Sequence, residues 1–293
     1  VNRCLLTFDI EDWFQVENLR PLFPPASWEA MPRRVAGSTR KVLDVLDEFQ
    51  VRSTFFVLGW VADREPGLVR EIARRGHEVA CHGYGHVLPL RLSVDEFRSD
   101  IVRAKERLEQ VTGSSVRGYR APSFSIDRTR LRVVSECGFA YDSSHHPFGF
   151  HDRYGRMGDL GPALQPGVYR LPDGLVEVGL PVEHIGSVPV PVAGGAWFRL
   201  YPGAVHRALV RRSLRRQGHF VFYLHSWELD PDQPRVSGVT LLSRARHYTS
   251  LRRSAGRLRS LIQTLKDNGT TFQTVSAFLG QLGKSGVASE VGA

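Results

Sequence analysis

Two histidines, His82 and His86, stand four residues apart in the stretch CHGYGH, directly after a short apolar run. On a helix or a tight turn, imidazoles at that spacing meet and can grip one metal ion. Gly83 excludes the HExxH helix of metalloproteases. By itself the pair fits ordinary core or surface histidines equally well. Four other stretches bear on the choice. LLTFDIED puts Asp9, Glu11 and Asp12 within four residues at the end of an apolar run. Carboxylates this close repel unless a cation or a raised pKa relieves them. YRAPSF sets Arg120 before a proline-fixed turn, where a guanidinium can hold a carboxylate still. FAYDSS ends a short strand-like run in a polar loop at Asp142, which a turn cap would also explain. FVFYLHSWE places His225 directly behind a wholly apolar run, a costly place for polar groups without a task. The set suits metal-assisted hydrolysis of an amide or ester. Asp9 is then the base, Arg120 orients it, and His225 is the acid for the leaving group. His82, His86 and one of Glu11 or Asp12 form the metal shell.

Each of these clusters follows a predicted strand, and in α/β folds reactive groups gather at the C-terminal ends of strands. Apolar runs predict strands at 3–9, 53–58, 77–81, 116–119, 139–141 and 220–224. Between them, helical spacing starts at Thr39, a helix runs over 66–75, and Ser93 with Glu96 makes a capping box for a helix to about 111. Asp127 caps another that ends before Gly138. This alternation predicts parallel strands joined by crossover helices. Residues 13–37 read as a long loop. Residues 145–200 read as a Gly- and Pro-rich insert of loops and hairpins over one end of the sheet. A long basic helix is expected over 243–267, then a strand at 270–276, a last helical turn at 277–282 and a flexible tail over 284–293. The whole reads as a single domain, 1–283, with its core in 1–145 and 218–280.

The chain has 293 residues, 42% of them hydrophobic and 24% charged, which is the composition of a folded domain. Its net charge of +9 is concentrated in arginines at 207–216 and 244–259. Aromatic residues do not alternate with these arginines, which argues against nucleic acid as a partner. Solvated helix faces account for them, and an acidic glycan or an anionic membrane surface would also suit them. Cys4, Cys81 and Cys137 are odd in number and widely spaced, so no disulfide framework is expected. No signal-type or membrane-spanning run is present, so the expectation is a cytoplasmic protein that is not integral to a membrane. A trimmed N-terminus would make a periplasmic or membrane-peripheral location equally consistent.

Taken together, TFDIED, HGYGH, RAPSF, DSS and FYLHSWELD resemble, in order, the five motifs of the polysaccharide deacetylases of carbohydrate esterase family four, the NodB-homology domain. DIEDWFQV and HSWELD, with GAWFRLYP and the stretch at Arg246 and Tyr248, are similar to a subgroup found in exopolysaccharide and exosortase loci. The resemblance spans about residues 3–280. It implies an α/β fold of the distorted (β/α)7-type barrel kind, a divalent metal, usually Zn2+, and N-deacetylation of an acetylated polysaccharide or oligosaccharide. It implies Asp9 as base, Arg120 as its tether, His225 as acid, and His82 and His86 as ligands. Ile10 interrupts the usual pair of adjacent aspartates. Relatives with Asp-x-Asp favour Glu11 over Asp12 as the third ligand. Gly83 stands where Ser or Thr is usual. Trp13, Trp197 and Trp227, with Phe124 and Asp142, are the expected substrate wall. A small-molecule amidohydrolase of the allantoinase or cyclic-imide type shares this barrel. A non-catalytic carbohydrate-binding protein would have lost Asp9, His82, His86 or His225, and all four are present.

Overall fold

The computed structural model describes residues 1–148, 154, 155 and 157–290, with 284–290 described by backbone alone. Strands β1 (Arg3–Ile10), β2 (Thr54–Val57), β3 (Glu78–Cys81), β4 (Gly118–Tyr119) and β5 (Tyr141–Asp142) pair in parallel in that order. β6 (Ala163–Gln165), β7 (Val168–Arg170) and β8 (Val176–Val178) extend the sheet: β8 lies parallel to β5, and β7 and β6 follow antiparallel. β9 (Val182–Ile185) and β10 (Val188–Pro191) form a separate hairpin. β11 (His219–His225) pairs along the other flank of β1, and β12 (Thr271–Phe272) adds a short ladder at the start of β1.

The strand order β11-β1-β2-β3-β4-β5-β8-β7-β6 has two free ends. Among the described residues no backbone ladder joins them, but they approach through side chains: Gln165 Nε2 lies 2.9 Å from His219 Nδ1. The sheet is therefore curled. Leu5, Phe56, Ala80, Tyr141, Val168, Val176, Val178 and Val221, from seven different strands, pack into one cluster inside the curl. Strand periodicity divides β1 cleanly. Cys4, Leu6, Phe8 and Ile10 join the large core under the helices, while Leu5 joins the inner cluster. Thr7 and Asp9 continue the inner column toward the C-terminal end of the strand, so the interior turns from apolar to polar along one strand.

The helices α1 (Val35–Glu48), α2 (Gly59–Arg64), α3 (Pro66–Arg74), α4 (Val94–Thr112) and α5 (Arg128–Glu136) connect the parallel strands. Ser93 and Glu96 form the expected capping box on α4, which stops at Gly113 in the left-handed conformation, and Asp127 caps α5. The second half adds α6 (Gly195–Leu200), α7 (Gly203–Gln217), α8 (Leu241–Tyr248), α9 (Leu251–Asp267) and α10 (Val275–Glu290). Among the described residues no helix is long and apolar enough to cross a membrane.

Several boundaries differ from those the sequence predicts. The single basic helix over 243–267 is two helices, because Ser250 takes a left-handed backbone, φ 59°. The last strand is two residues long, and the last turn is a helix that runs to Glu290. Its Val275 and Phe278 plug the inner cluster, and its start is held by the Glu78 carboxylate, which accepts from Ser276. Residues 13–37 hold three short 3-10 turns and the start of α1. The tail residues 291–293 lie outside the described residues.

Asp142, expected on the substrate wall, is fully buried and paired inside the sheet instead. It is the register partner of Glu177 across β5 and β8. Burial and the neighbouring Asp142 charge push the Glu177 carboxyl well above the usual carboxylate range. That environment favours a protonated Glu177, while the backbone N–H groups of Ser144 and His145 donate to Glu177 Oε1 at 3.1 and 2.8 Å. An acid with a raised folded-state pKa contributes stability that is complete below its ordinary pKa and is lost as pH climbs toward the raised value. Glu177→Gln keeps the accepting oxygen and has no proton to lose. As pH rises above the ordinary carboxylate range, the wild type should lose stability relative to Glu177→Gln, read as urea midpoints across a pH series. Parallel pH profiles for the two proteins would refute a protonated Glu177.

Candidate active site

The inner column of β1 ends at a buried guanidinium. Arg120 follows β4 and is wholly excluded from solvent. Its Nη1 donates to Thr7 Oγ1 at 2.8 Å and to Asp9 Oδ1 at 2.9 Å, its Nε to the Ser143 carbonyl at 3.0 Å, and its Nη2 to Ser143 Oγ at 3.0 Å. The guanidinium carbon lies 4.0 Å from the centre of the Phe56 ring. A charge this deep is tolerable only with such partners. Asp9 is fixed as a result, with its second oxygen directed away from Arg120.

The loop after β3 brings the two histidines round. Gly83 has φ 76° and His86 φ 49°. Asp100, on α4, accepts from the backbone N–H of Tyr84 at 2.8 Å and of Gly85 at 3.4 Å. A Cβ on Gly83 would stand 2.9 Å from that carboxylate, so the missing Ser or Thr is a steric and conformational necessity here. The Arg120 carbonyl lies 2.9 Å from His82 Nδ1. It can only accept, so Nδ1 carries the proton and Nε2 keeps its lone pair as a ligand. His86 Nε2 is 2.7 Å from Glu11 Oε2. One ligand atom each from Glu11, His82 and His86 lies within 4.8 Å of the others, all three residues buried.

Electrostatics fit a cation. Burial alone would raise Glu11, but His86, His225 and His82 outweigh it and hold the carboxyl far below the usual range. Burial lowers His82 to about 4, so it is a neutral, ligating imidazole. Glu11 Oε2 is buried with only His86 Nε2 against it, a donor pair that a shared divalent ion would satisfy. Two imidazoles and a carboxylate form a common catalytic shell with room for water. His82, His86 and Glu11 are therefore a candidate divalent-metal site.

His225, the last residue of β11, faces the triad from the other side. Its Nε2 is 3.7 Å from Glu11 Oε1 and 3.9 Å from Asp9 Oδ2. Its Nδ1 is 2.8 Å from Glu228 Oε1, which also accepts from the His225 backbone N–H at 3.0 Å. Burial would push this imidazole down, but Glu228, Glu11 and Asp9 lift it to about 9. Glu228 itself is paired to Arg199 of α6. Arg199 donates in turn to the carbonyls of Arg246, His247 and Thr249 at 2.8, 3.2 and 2.6 Å, which seats the end of α8. The rings of His225, Trp227 and His247 stack in sequence, with centroid spacings of 5.3 and 4.3 Å. The enclosed volume is about 100 Å³, and Phe124, Tyr154, Tyr223, Trp227, Arg246 and His247 form much of its wall.

Of the residues singled out in sequence, Asp9, Glu11, His82, His86, Phe124, His225 and Trp227 line this cavity, with Arg120 directly beneath. Asp12 does not join the triad. Its carboxylate accepts from the backbone N–H groups of Trp13 (2.9 Å), Arg34 (2.8 Å) and Val35 (3.0 Å), pinning the start of α1. Burial raises it to about 6. Trp13 is not a sugar platform: its ring packs edge-on to Phe14 and Phe23 in the core, and its Nε1 donates to the Pro32 carbonyl. Trp197 stacks on Tyr201 outside the cavity wall, which α6 reaches through Ala196 and Arg199 instead. Glu228, Arg199 and His247 went unassigned in sequence. They sit in the stretches HSWE, GAWFRLYP and RHY, whose polar residues among aromatic ones were the only signal.

Residues 5–141 match the family model described as polysaccharide deacetylase, and residues 143–278 match one described as a domain of unknown function (DUF3473). A peptidoglycan-N-acetylglucosamine deacetylase of Bacillus cereus is 34% identical over 101 residues, covering 34% of this chain and 37% of that protein. A peptidoglycan deacetylase of Helicobacter pylori is 26% identical over 119 residues, covering 41% of each. The chain thus spans only 37% to 41% of the length of these curated relatives. A putative polysaccharide deacetylase from Mycobacterium smegmatis shares the fold, with a TM-score of 0.61 at 23% identity over 97% of this chain and 91% of that one. The motif-bearing ends of strands β1, β3 and β4, the buried Asp9–Arg120 pair and the histidine–carboxylate triad all fall within residues 5–141, the region that matches the polysaccharide deacetylase model.

Proposed function

We propose that this protein removes N-acetyl groups from amino sugars of a polysaccharide, acting as one unit of residues 1–283 built on a distorted (β/α)7-type barrel. The observation that carries the proposal is the convergence of Asp9 and His225, 3.9 Å apart, on the Glu11, His82 and His86 triad. The relatives named for peptidoglycan deacetylation support an N-acetylglucosamine polymer as the substrate class, and an exopolysaccharide fits the same chemistry.

A divalent ion, Zn2+ on this donor set, would polarise the acetyl carbonyl and lower the pKa of an attacking water. The chain's own residues do the rest. Asp9, held by Arg120, takes the proton from the attacking water through its free oxygen. His225 carries a proton at Nε2, because Glu228 holds Nδ1. It donates that proton to the departing sugar amine and offsets charge developing on the former carbonyl oxygen. Trp227 steadies Glu11 by donating from Nε1 to Oε1 at 3.0 Å, which leaves Oε2 for the ligand role. The aromatic wall excludes bulk water from a space that suits an acetamido group.

Purified protein reconstituted with zinc should hold about one ion per chain by elemental analysis, and a His82→Ala/His86→Ala double variant should hold none. A wild-type chain that takes up no metal would sink the hydrolytic mechanism. On N-acetylglucosamine oligomers, His225→Ala should lower kcat by about 10²–10⁴-fold with metal content unchanged. Glu228→Gln should lower kcat by about 10–100-fold with a smaller effect on KM, because Glu228 both orients His225 and holds its proton. Unaltered kcat in both variants would remove His225 from the reaction.

A further inference from the structure

A second cavity, of about 350 Å³, opens between α7 and α9. Helix α6 separates it from the first: Arg199 lines the metal-site cavity, and its neighbour Phe198 lines this one. The wall carries Arg207, Arg253 and Arg257 and no carboxylate, and Phe198 and Leu261 supply an apolar surface. On the same helices Arg212 and Arg216 are neutralised by buried Glu183 and Arg259 by Glu48. Among the described residues no carboxylate pairs with Arg207, Arg253 or Arg257. Arg207 reaches only Ser260 Oγ, at 3.3 Å. Arg257 donates to the carbonyls of Arg199 and Tyr201. Among the described residues the Arg253 side chain has no hydrogen-bond or ion-pair partner, its backbone N–H donating to the Ser250 carbonyl.

Three guanidinium groups converging on one recess repel one another. Burial, and then the charges of Arg207, Arg253 and Arg199, lower the Arg257 pKa. An anion relieves that repulsion, and guanidinium forks match the oxygens of a phosphoryl group in paired hydrogen bonds. Gly203, at the first turn of α7, also faces the cavity, and no side chain caps that helix end. Its free N–H groups add donors for the same anion. The apolar surface suits whatever uncharged part such an anion carries.

We propose that the α7–α9 cavity is a binding site for a phosphoryl group, distinct from the metal-site cavity and linked to it through α6. The source of the group is either a lipid head group or a free phosphate, and the chemistry of recognition is the same. General attraction by a chain of net charge +9 is the competing explanation. The test therefore compares Arg207→Glu/Arg253→Glu with Arg70→Glu/Arg74→Glu on α3, which changes net charge equally. Pyrophosphate binding is read by calorimetry, and phosphatidylglycerol vesicle binding by sedimentation, both at physiological salt, where exposed charges are screened beyond about 8 Å. Wild type and the α3 variant should bind alike, and the cavity variant at least about tenfold more weakly, with zinc content equal in all three. Vesicle binding without pyrophosphate binding assigns the site to a lipid head group. Pyrophosphate binding alone assigns it to a free anion. Equal losses in the two double variants, or no binding of either probe by wild type, would overturn the proposal.

Discussion

The interior charge of Arg120 is the constraint around which the site is arranged. A guanidinium with no solvent contact needs every strong donor met, and the partners come from two other strand ends: Thr7 and Asp9 from β1, and Ser143 after β5. Those bonds fix how far apart the strand ends lie. The same residue orients His82 through its own carbonyl. The candidate base and one metal ligand are therefore set by one side chain and its backbone. Removing one member of such a cluster leaves a buried charge unpaired, which costs far more than the cluster gains over an apolar core.

The first matched region does not complete the site. Residues 5–141 hold Asp9, Glu11, His82, His86 and Arg120, but His225 and the aromatic wall come from the region beyond. The two regions are joined at atomic level. Trp227 and Ser226 both donate to Glu11, one to its carboxylate and one to its carbonyl. On the far side, Arg199 couples Glu228, and so His225, to the carbonyls that end α8. A displacement of α8 would act on the wall and on the histidine together, because one guanidinium holds both.

Much of this is legible in the sequence, and what is not has a common cause. Asp9, His82, His86, Arg120 and His225 stand out because each follows an apolar run, so a local pattern marks a polar group at a strand end. The choice between Glu11 and Asp12 has no such local marker. It is decided by the backbone N–H groups of Arg34 and Val35, more than twenty residues along, which occupy Asp12 and leave Glu11 to the histidines. Trp13 is indistinguishable in sequence from a sugar platform until Phe14, Phe23 and Pro32 surround it. Asp142 reads as a site acid because Glu177, its partner, lies 35 residues on and beyond a change of strand direction. The break between α8 and α9 falls at the left-handed Ser250, beside carbonyls that the distant Arg199 holds. Periodicity reports which face a residue takes, and it carries no record of the distant partner that uses it.

The histidine pair itself shows how spacing and geometry can separate. Side chains at i and i+4 meet on a helix, yet no helix runs through residues 82–86. The chain instead takes left-handed turns at Gly83 and at His86, a conformation that disfavours a histidine. Such a turn persists only if its surroundings hold it. Asp100 takes two of its backbone N–H groups, and Arg20 donates to the carbonyls of Gly85 and His86. The strain therefore has a use: a strand end delivers His82 pointing inward, and the left-handed step at His86 turns its ring back toward the same point. A helix would bring the two rings together on its own surface, where a ligand carboxylate from β1 could not reach them without displacing the sheet. The turn lets Glu11 complete the triad with β1 and β3 left in their places.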